Sequence, residues 1–144
     1  MQDLYDRGGL KKVPEASGKS ALSFSELDLD ERLTRALSDV GFSSCTPIQA
    51  ETLPLLLNGT DVAGQAQTGT GKTAAYLLAM LNTLLKDDMS KVGFFKGEKS
   101  LPRGLVVAPT RELAIQIYND LEVLGKNANL SYALVYGGID YETQ

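Results

Sequence analysis

The sequence predicts an α/β fold in which helices flank a parallel sheet, and three observations carry this prediction. Short apolar runs alternate with longer segments of helical periodicity, an order typical of parallel sheets. A glycine-rich loop, AQTGTGKT at positions 66–73, lies between a predicted strand and a predicted helix. Of the 144 residues, 43% are hydrophobic and 22% are charged, as in an ordinary soluble domain with an apolar core.

Four helices are predicted from the spacing of apolar residues and from end signals. Asp28 is placed to cap the first helix and Gly41 to end it, while Thr46 is an N-cap for the second. Pro47 suits the first position of that second helix, and Gly125 closes the last helix. The predicted helices cover residues 28–41, 46–59, 72–85 and 109–124.

Three short strands are predicted from apolar runs between turn signals, at residues 61–65, 104–108 and 131–135. The run at 104–108, GLVVA, has the composition of a buried parallel strand. Residues 1–20 carry few apolar groups and are predicted to form a flexible N-terminal tail. The segment 86–104 is typical of a solvated loop, although Phe94 and Phe95 leave open a basic rim that stacks on bases.

The composition excludes several classes of function. The chain has no histidine, which removes histidine-ligated metals and nucleophiles that rely on a histidine base. Cys45 is the one cysteine, so no internal disulfide can form, which suits a reducing cytoplasm. The chain has neither an apolar run that could cross a membrane nor a secretory signal. With 14 basic and 18 acidic residues and a net charge of -4, any nucleic-acid surface would have to be local.

The loop at 66–73 has the residues of a phosphate-binding loop. Gly69 and Gly71 can take positive φ, which lets successive N–H groups point into one concavity at the start of a helix. Lys72 would reach the β- and γ-phosphates of ATP, and Thr73 would offer its hydroxyl to Mg²⁺. Ala66 stands where the general pattern has glycine, upstream of the cradling residues. The predicted nucleotide-binding set is therefore Ala66, Gln67, Thr68, Gly69, Thr70, Gly71, Lys72 and Thr73.

This loop, its opening alanine included, resembles motif I of the DEAD-box RNA helicases, and residues 22–144 resemble that family more widely. The stretch LSFSELDLDERLTRALSDVGFSSCTPIQA is similar to the family's Q motif, with Phe24 seventeen residues before Gly41. The resemblance implies that Phe24 stacks on adenine and that the Gln49 amide hydrogen-bonds its edge. Two alternatives stay open: Thr46 and Gln49 also fit a helix capping box, and Phe24 also fits a core aromatic.

Two further motifs resemble family elements that contact RNA. Pro109, Thr110 and Arg111 belong to a PTREL motif similar to motif Ia, where the helix start and the guanidinium could meet a phosphate. Gly137 and Gly138 resemble the glycine pair that lets an RNA strand approach the backbone. Taken alone, the first motif would be a helix cap beside a solvated arginine, and the second would be a plain turn.

The resemblance implies a partial RecA-like P-loop NTPase domain that uses ATP and Mg²⁺. Residues 21–144 would hold the Q motif and the N-terminal part of the first helicase domain, without the Asp-Glu-Ala-Asp motif or a second domain. The parent would be an ATP-dependent RNA helicase, with RNA and RNA-degradation machinery as partners, while this portion alone would not hydrolyse ATP. The alternative is a nucleotide- or partner-binding module without catalysis. An uncovered sheet edge would favour low stability or self-association.

Details within the family favour its bacterial RhlB-like branch. Cys45 stands where most family members carry proline. The YGG sequence followed by Tyr141 and Gln144 is also similar to that branch.

Overall fold

The computed structural model describes residues 11–13, 22–86 and 102–138. Two strands, one short 3-10 turn and four helices follow one another along these ranges. In chain order they are β1 (Lys11–Val13), the 3-10 turn (Phe24–Glu26), α1 (Glu31–Asp39), α2 (Pro47–Leu57), β2 (Val62–Gly64), α3 (Lys72–Lys86) and α4 (Arg111–Leu124). All four predicted helices and the strand predicted at 61–65 are therefore present.

Several helix ends follow the predicted capping chemistry, and the start of the first helix does not. Thr110 accepts a hydrogen bond from the Leu113 N–H at 3.3 Å and caps α4, and Gly125 follows its last residue. Helix α1 begins after Asp30, whose carboxylate accepts from the Arg32 N–H at 3.0 Å. The prediction that Asp28 is the cap was wrong, because a carboxylate caps only from the residue next to the first helical turn.

Strands β1 and β2 form a parallel pair in which Lys11 lies opposite Val62 and Val13 lies opposite Gly64. Lys11–Val13 fall inside the segment predicted to be a flexible tail, so the structure differs from that prediction at these three residues. A three-residue strand has almost no periodicity of its own, and its backbone hydrogen bonds come from a partner that is distant in sequence.

The strands predicted at 104–108 and 131–135 are absent, and those two predictions were wrong. Leu105 and Val107 are 84% and 82% exposed, while Val106 between them packs against the core. The side chains thus alternate as in a strand, but no described backbone lies beside them to complete a ladder. A strand, unlike a helix, cannot satisfy its hydrogen bonds within its own segment.

The core lies among the four helices, and α3 packs against the other three. Burial of one leucine side chain stabilises the fold by about 1.5–3 kcal/mol. The largest fully buried side chains of the core are all leucines: Leu33, Leu37, Leu53, Leu77, Leu78 and Leu81. Within the described ranges, no helix combines the length and the apolar composition needed to cross a bilayer.

Candidate nucleotide site

The glycine-rich loop connects β2 to α3 and ends where Lys72 begins the helix. Gly69 and Gly71 have φ values of 79° and 91°, in the left-handed region that the sequence predicted for them. The loop therefore delivers its backbone to the N-terminus of a 15-residue helix. Unpaired N–H groups at such a helix start favour a bound anion.

Gly71 is constrained by a neighbour as well as by its φ value. A Cβ atom placed there would lie 2.4 Å from Gln49 Nε2 and 3.0 Å from Thr46 Oγ1. Both distances are shorter than ordinary van der Waals contacts. The loop and the N-terminus of α2 thus pack together with no room for a side chain at position 71.

Gln49, which is 5% exposed, joins the Q-motif segment to the loop through its amide group. Its Oε1 accepts from the Thr46 N–H at 2.8 Å, and its Nε2 donates to the Gly71 carbonyl at 3.1 Å. These two partners fix the amide orientation, because an N–H needs an acceptor and a carbonyl needs a donor. Half of the capping-box alternative is therefore formed in this conformation: Gln49 reaches back to the Thr46 N–H, whereas the Thr46 hydroxyl has no hydrogen-bond partner among the described residues.

Lys72 folds back over the loop that precedes it. Its ammonium group donates to the backbone carbonyls of Ala66 and Gln67. Thr70 adds a bond from its hydroxyl to the same Gln67 carbonyl at 2.8 Å. The cation is thus held at the loop by neutral acceptors that a phosphate group could replace.

Thr73 occupies the first turn of α3, one residue after Lys72. Its hydroxyl interacts with the Tyr76 phenol, whose pKa is raised mainly by burial and lowered in part by this contact. Thr68, which is exposed, completes the predicted loop set. Thr68 and Thr73 thus lie on either side of the two loop glycines.

Phe24 lies in the core and is only 3% exposed. Phe42, by contrast, is 54% exposed and follows directly after Gly41. Both rings line one surface pocket of about 340 Å³, together with Ser23, Ser25, Thr34, Leu37, Ser38, Gly41 and Ser43. Sequence reasoning did not single out Phe42, although its position in the glycine–aromatic pair of the Q motif was a usable signal.

The far end of α3 holds the segment that leads into α1. Asn82, which is 3% exposed, accepts from the Asp30 N–H at 2.7 Å and donates to the Asp28 carbonyl at 3.0 Å. Lys86 donates to that carbonyl at 2.8 Å and pairs with the Asp28 carboxylate at 2.5 Å. Helix α3 therefore contacts both the phosphate loop and the Q-motif segment, a role that the sequence had not indicated for Asn82.

The residues predicted to meet RNA are exposed and lie in two elements that contact each other. Pro109, Thr110 and Arg111 lead into α4 on the surface. The guanidinium carbon of Arg111 lies over the Tyr136 ring, 4.4 Å from its centroid. Gly137 and Gly138 follow this ring, are exposed, and have open space where a side chain would stand, with φ of 92° at Gly138.

Comparison with known proteins identifies a family model and several similar proteins. The DEAD/DEAH box helicase family model matches residues 46–144. The ATP-dependent RNA helicase RhlB of Pseudoalteromonas atlantica is 50% identical over 121 residues, covering 84% of this chain and 27% of that protein. RhlB of Xanthomonas campestris is 52% identical over 123 residues, covering 85% of this chain and 21% of that protein.

Solved structures give the same result for the fold. A DEAD box protein from Methanococcus jannaschii aligns with a TM-score of 0.69 at 31% identity, covering 87% of this chain and 31% of that one. The RNA helicase Prp28 from Chaetomium thermophilum, bound to ADP, aligns with a TM-score of 0.72 at 31% identity, covering 92% of this chain and 30% of that one.

These likenesses confirm the predicted fold class, a partial RecA-like α/β domain, and the resemblance to the RhlB-like branch. The chain spans about a fifth to a quarter of the length of the curated relatives, 21% of one and 27% of another. Since the family model covers more than half of its residues, the chain belongs to the DEAD/DEAH box helicase family.

Proposed function

We propose that the chain is the ATP-binding portion of an ATP-dependent RNA helicase whose parent couples ATP binding and hydrolysis to unwinding short RNA duplexes. The observation that carries this proposal is the hydrogen bond from Gln49 to Gly71. It joins the motif expected to read the base to the loop expected to hold the phosphates. One bound nucleotide could therefore contact both elements.

The residues of the site fit ATP and Mg²⁺. The Thr46 hydroxyl beside the loop is buried without a described partner, and Gly69 and Gly71 give the loop the positive φ values that turn its N–H groups toward an anion. Lys72 would exchange the Ala66 and Gln67 carbonyls for phosphate oxygens, which are stronger, charged acceptors. Thr73 would provide the protein's hydroxyl ligand for Mg²⁺. When bound, ATP supplies the phosphoryl group and Mg²⁺ neutralises its charge.

For the base, Phe42 is the better candidate to stack on adenine in this conformation. Stacking requires an accessible ring face, and Phe24 offers almost none. We expect Phe42→Leu to weaken binding of a fluorescent ATP analogue by about three- to ten-fold, from about 0.5–1.5 kcal/mol of lost stacking. We expect Phe24→Leu to lower the free energy of unfolding instead. Equal binding losses in the two variants would contradict this assignment.

For hydrolysis, we propose that these 144 residues alone do not turn over ATP at a useful rate. The Asp-Glu-Ala-Asp carboxylates and the arginines that stabilise the transferred phosphoryl group in this family do not occur among them. Without such groups the reaction loses its main electrostatic stabilisation. Phosphate release measured with and without RNA tests this, and turnover like that of an intact helicase would refute it.

The nucleotide site itself is tested by titrating the fluorescent ATP analogue into the chain with Mg²⁺ present. Lys72→Ala should weaken binding by about ten- to a hundred-fold, since it removes a charge-assisted hydrogen bond worth about 1.5–3 kcal/mol. Gln49→Ala should weaken it less and should make recognition less selective for adenine over guanine. Lys126→Ala serves as a charge-matched control, because Lys126 follows the end of α4 and pairs with Asp39 instead of contacting the loop. Unchanged affinity in both site variants would refute the assignment.

RNA is the second ligand that we propose, in contact with Pro109, Thr110, Arg111, Gly137 and Gly138. Their exposure and the contact between Arg111 and Tyr136 support a single surface for a phosphate backbone. RNA-degradation machinery remains a proposed partner of the parent, and a cytoplasmic location remains a proposal that follows from these partners.

A second candidate function is a binding module without catalysis, and the exposed apolar residues favour it. Leu105 and Val107 in one segment and Val135 in another are exposed apolar side chains, and among the described residues neither segment forms a ladder. Such a surface favours strand pairing with a second copy of this chain. Light scattering over a concentration series tests this, with Val107→Lys expected to shift the chain toward monomer. A monomer at every concentration would refute self-association.

A further inference from the structure

We propose that Tyr136 is a positioning residue for RNA binding, which acts by holding the Arg111 guanidinium beside the Gly137–Gly138 backbone. This inference rests on the proposed function of the surface, and it assigns a role to Tyr136, which the sequence indicated only as part of the YGG segment. The guanidinium carbon lies 4.4 Å from the centre of the Tyr136 ring. At that distance the ring face attracts the cation.

The stack matters because Arg111 is otherwise a long side chain on an exposed helix start. An unconstrained arginine loses side-chain entropy when it binds a phosphate, and this loss offsets part of the binding free energy. A guanidinium already held over a ring has lost part of that freedom before the ligand arrives. Within the described ranges, no ion pair joins Arg111 to a carboxylate, so its charge is available to an anion.

The position of Tyr136 in the chain links the two predicted RNA elements. It precedes Gly137 directly, and its ring lies under the first residue of α4. A strand passing over the open glycine backbone would therefore meet the helix N–H groups and the guanidinium on the same surface. Phosphate contacts of this kind fix a strand's position without reading its sequence.

The test measures binding of a fluorescein-labelled oligouridylate of about 12 nucleotides to the chain and its variants at low salt. Tyr136→Leu should weaken binding by about two- to five-fold, the size of an exposed cation–π contact. Tyr136→Phe keeps the ring and should bind as the wild type does. Tyr118→Leu removes an aromatic ring from the same helix as Arg111 and should leave binding unchanged.

A double-mutant cycle separates positioning from a direct contact. If Tyr136 acts through Arg111, then Tyr136→Leu should cause no further loss when Arg111 is already alanine. An equal loss in both backgrounds would overturn the proposal, because Tyr136 would then act by itself, for example by stacking on a base. Affinity for the ATP analogue should stay constant in every variant, which excludes loss of the fold as the cause.

Two further outcomes distinguish this proposal from the function on which it rests. If Arg111→Ala weakens RNA binding while Tyr136→Leu does not, the RNA surface stands and the role of Tyr136 is overturned. If the wild-type chain binds the ATP analogue but no RNA, both the RNA surface and the role of Tyr136 are overturned, while the nucleotide site stands.

Discussion

The phosphate-loop region differs from the two segments predicted as strands, 104–108 and 131–135. The difference lies in how backbone polar groups are hydrogen-bonded and how apolar side chains are buried. Around the loop and along α3, the Gln49 amide, the Lys72 ammonium and the Asn82 amide each bond to backbone groups. In the two segments, apolar side chains such as Leu105 and Val135 stand 84% and 74% exposed. The polar groups of the loop and of α3 are therefore hydrogen-bonded among the described residues, whereas the exposed apolar side chains of the two segments are not covered by them.

The largest expected effect comes from truncating one leucine in each region. Leu78 is fully buried in α3, so Leu78→Ala should lower the free energy of unfolding by about 2–5 kcal/mol. Leu105→Ala, at an exposed position, should change it by less than about 0.5 kcal/mol. Urea denaturation at low protein concentration measures both values. Similar losses at the two positions would mean that the contrast between the regions is not real in solution.

A smaller effect is expected from the polar contact that ties the Q-motif segment to α3. Asn82→Ala would leave the Asp30 N–H without its partner, whereas the Asp28 carbonyl would keep its hydrogen bond from Lys86, so the cost should be about 1–3 kcal/mol. Asn119→Ala, on the exposed face of α4, is the matched control and should be close to neutral. If the two asparagine variants unfold at the same urea concentration, the Asn82 contacts do not stabilise the fold.

The smallest effect concerns the charge at the start of α1. A hydrogen bond from the Arg32 side chain lowers the pKa of Asp30 from 3.8 to about 2, although burial opposes the shift. Because the folded pKa lies below the unfolded one, the stabilisation is present above about pH 4 and is lost as the pH falls through about 2. We expect the free energy of unfolding of the wild type to exceed that of Asp30→Asn by less than about 1 kcal/mol at neutral pH.

The pH dependence provides the check on that prediction. Asparagine can still cap the helix, so the difference between wild type and Asp30→Asn isolates the charge. Thermal unfolding from pH 7 to pH 2 should show this difference shrinking below about pH 4 to a small remainder at pH 2. In an Arg32→Met background, Asp30→Asn should show little of that trend, and a full trend there would contradict the assigned cause.

Helices and the loop could be predicted from sequence because their signals are local. Thr46, Thr110 and Gly125 mark helix ends through contacts within a few residues of themselves. Gly69 and Gly71 likewise indicated a positive φ, because the φ that a residue can adopt depends largely on its own side chain. These positions needed no knowledge of which distant segment would lie beside them.

The strands and the burial of aromatic residues depended on distant partners instead. Lys11–Val13 form a strand only because β2, about fifty residues later, accepts them in parallel register. The segment 104–108 was predicted to be a buried strand, yet Leu105 and Val107 are exposed, and an apolar run alone cannot supply a ladder. Phe24 illustrates the same point, since its spacing identified the motif but could not show that its ring lies in the core.

The contact between Gly71 and Gln49 has a consequence for how the two positions could vary among relatives. A larger residue at 71 is disfavoured twice, by the backbone φ of 91° and by the Gln49 amide 2.4 Å from where a Cβ would stand. Shortening Gln49 would relieve only the second obstacle. Substitutions should therefore be asymmetric: position 49 can change while Gly71 persists, but no compensating change at position 49 can rescue a larger residue at 71.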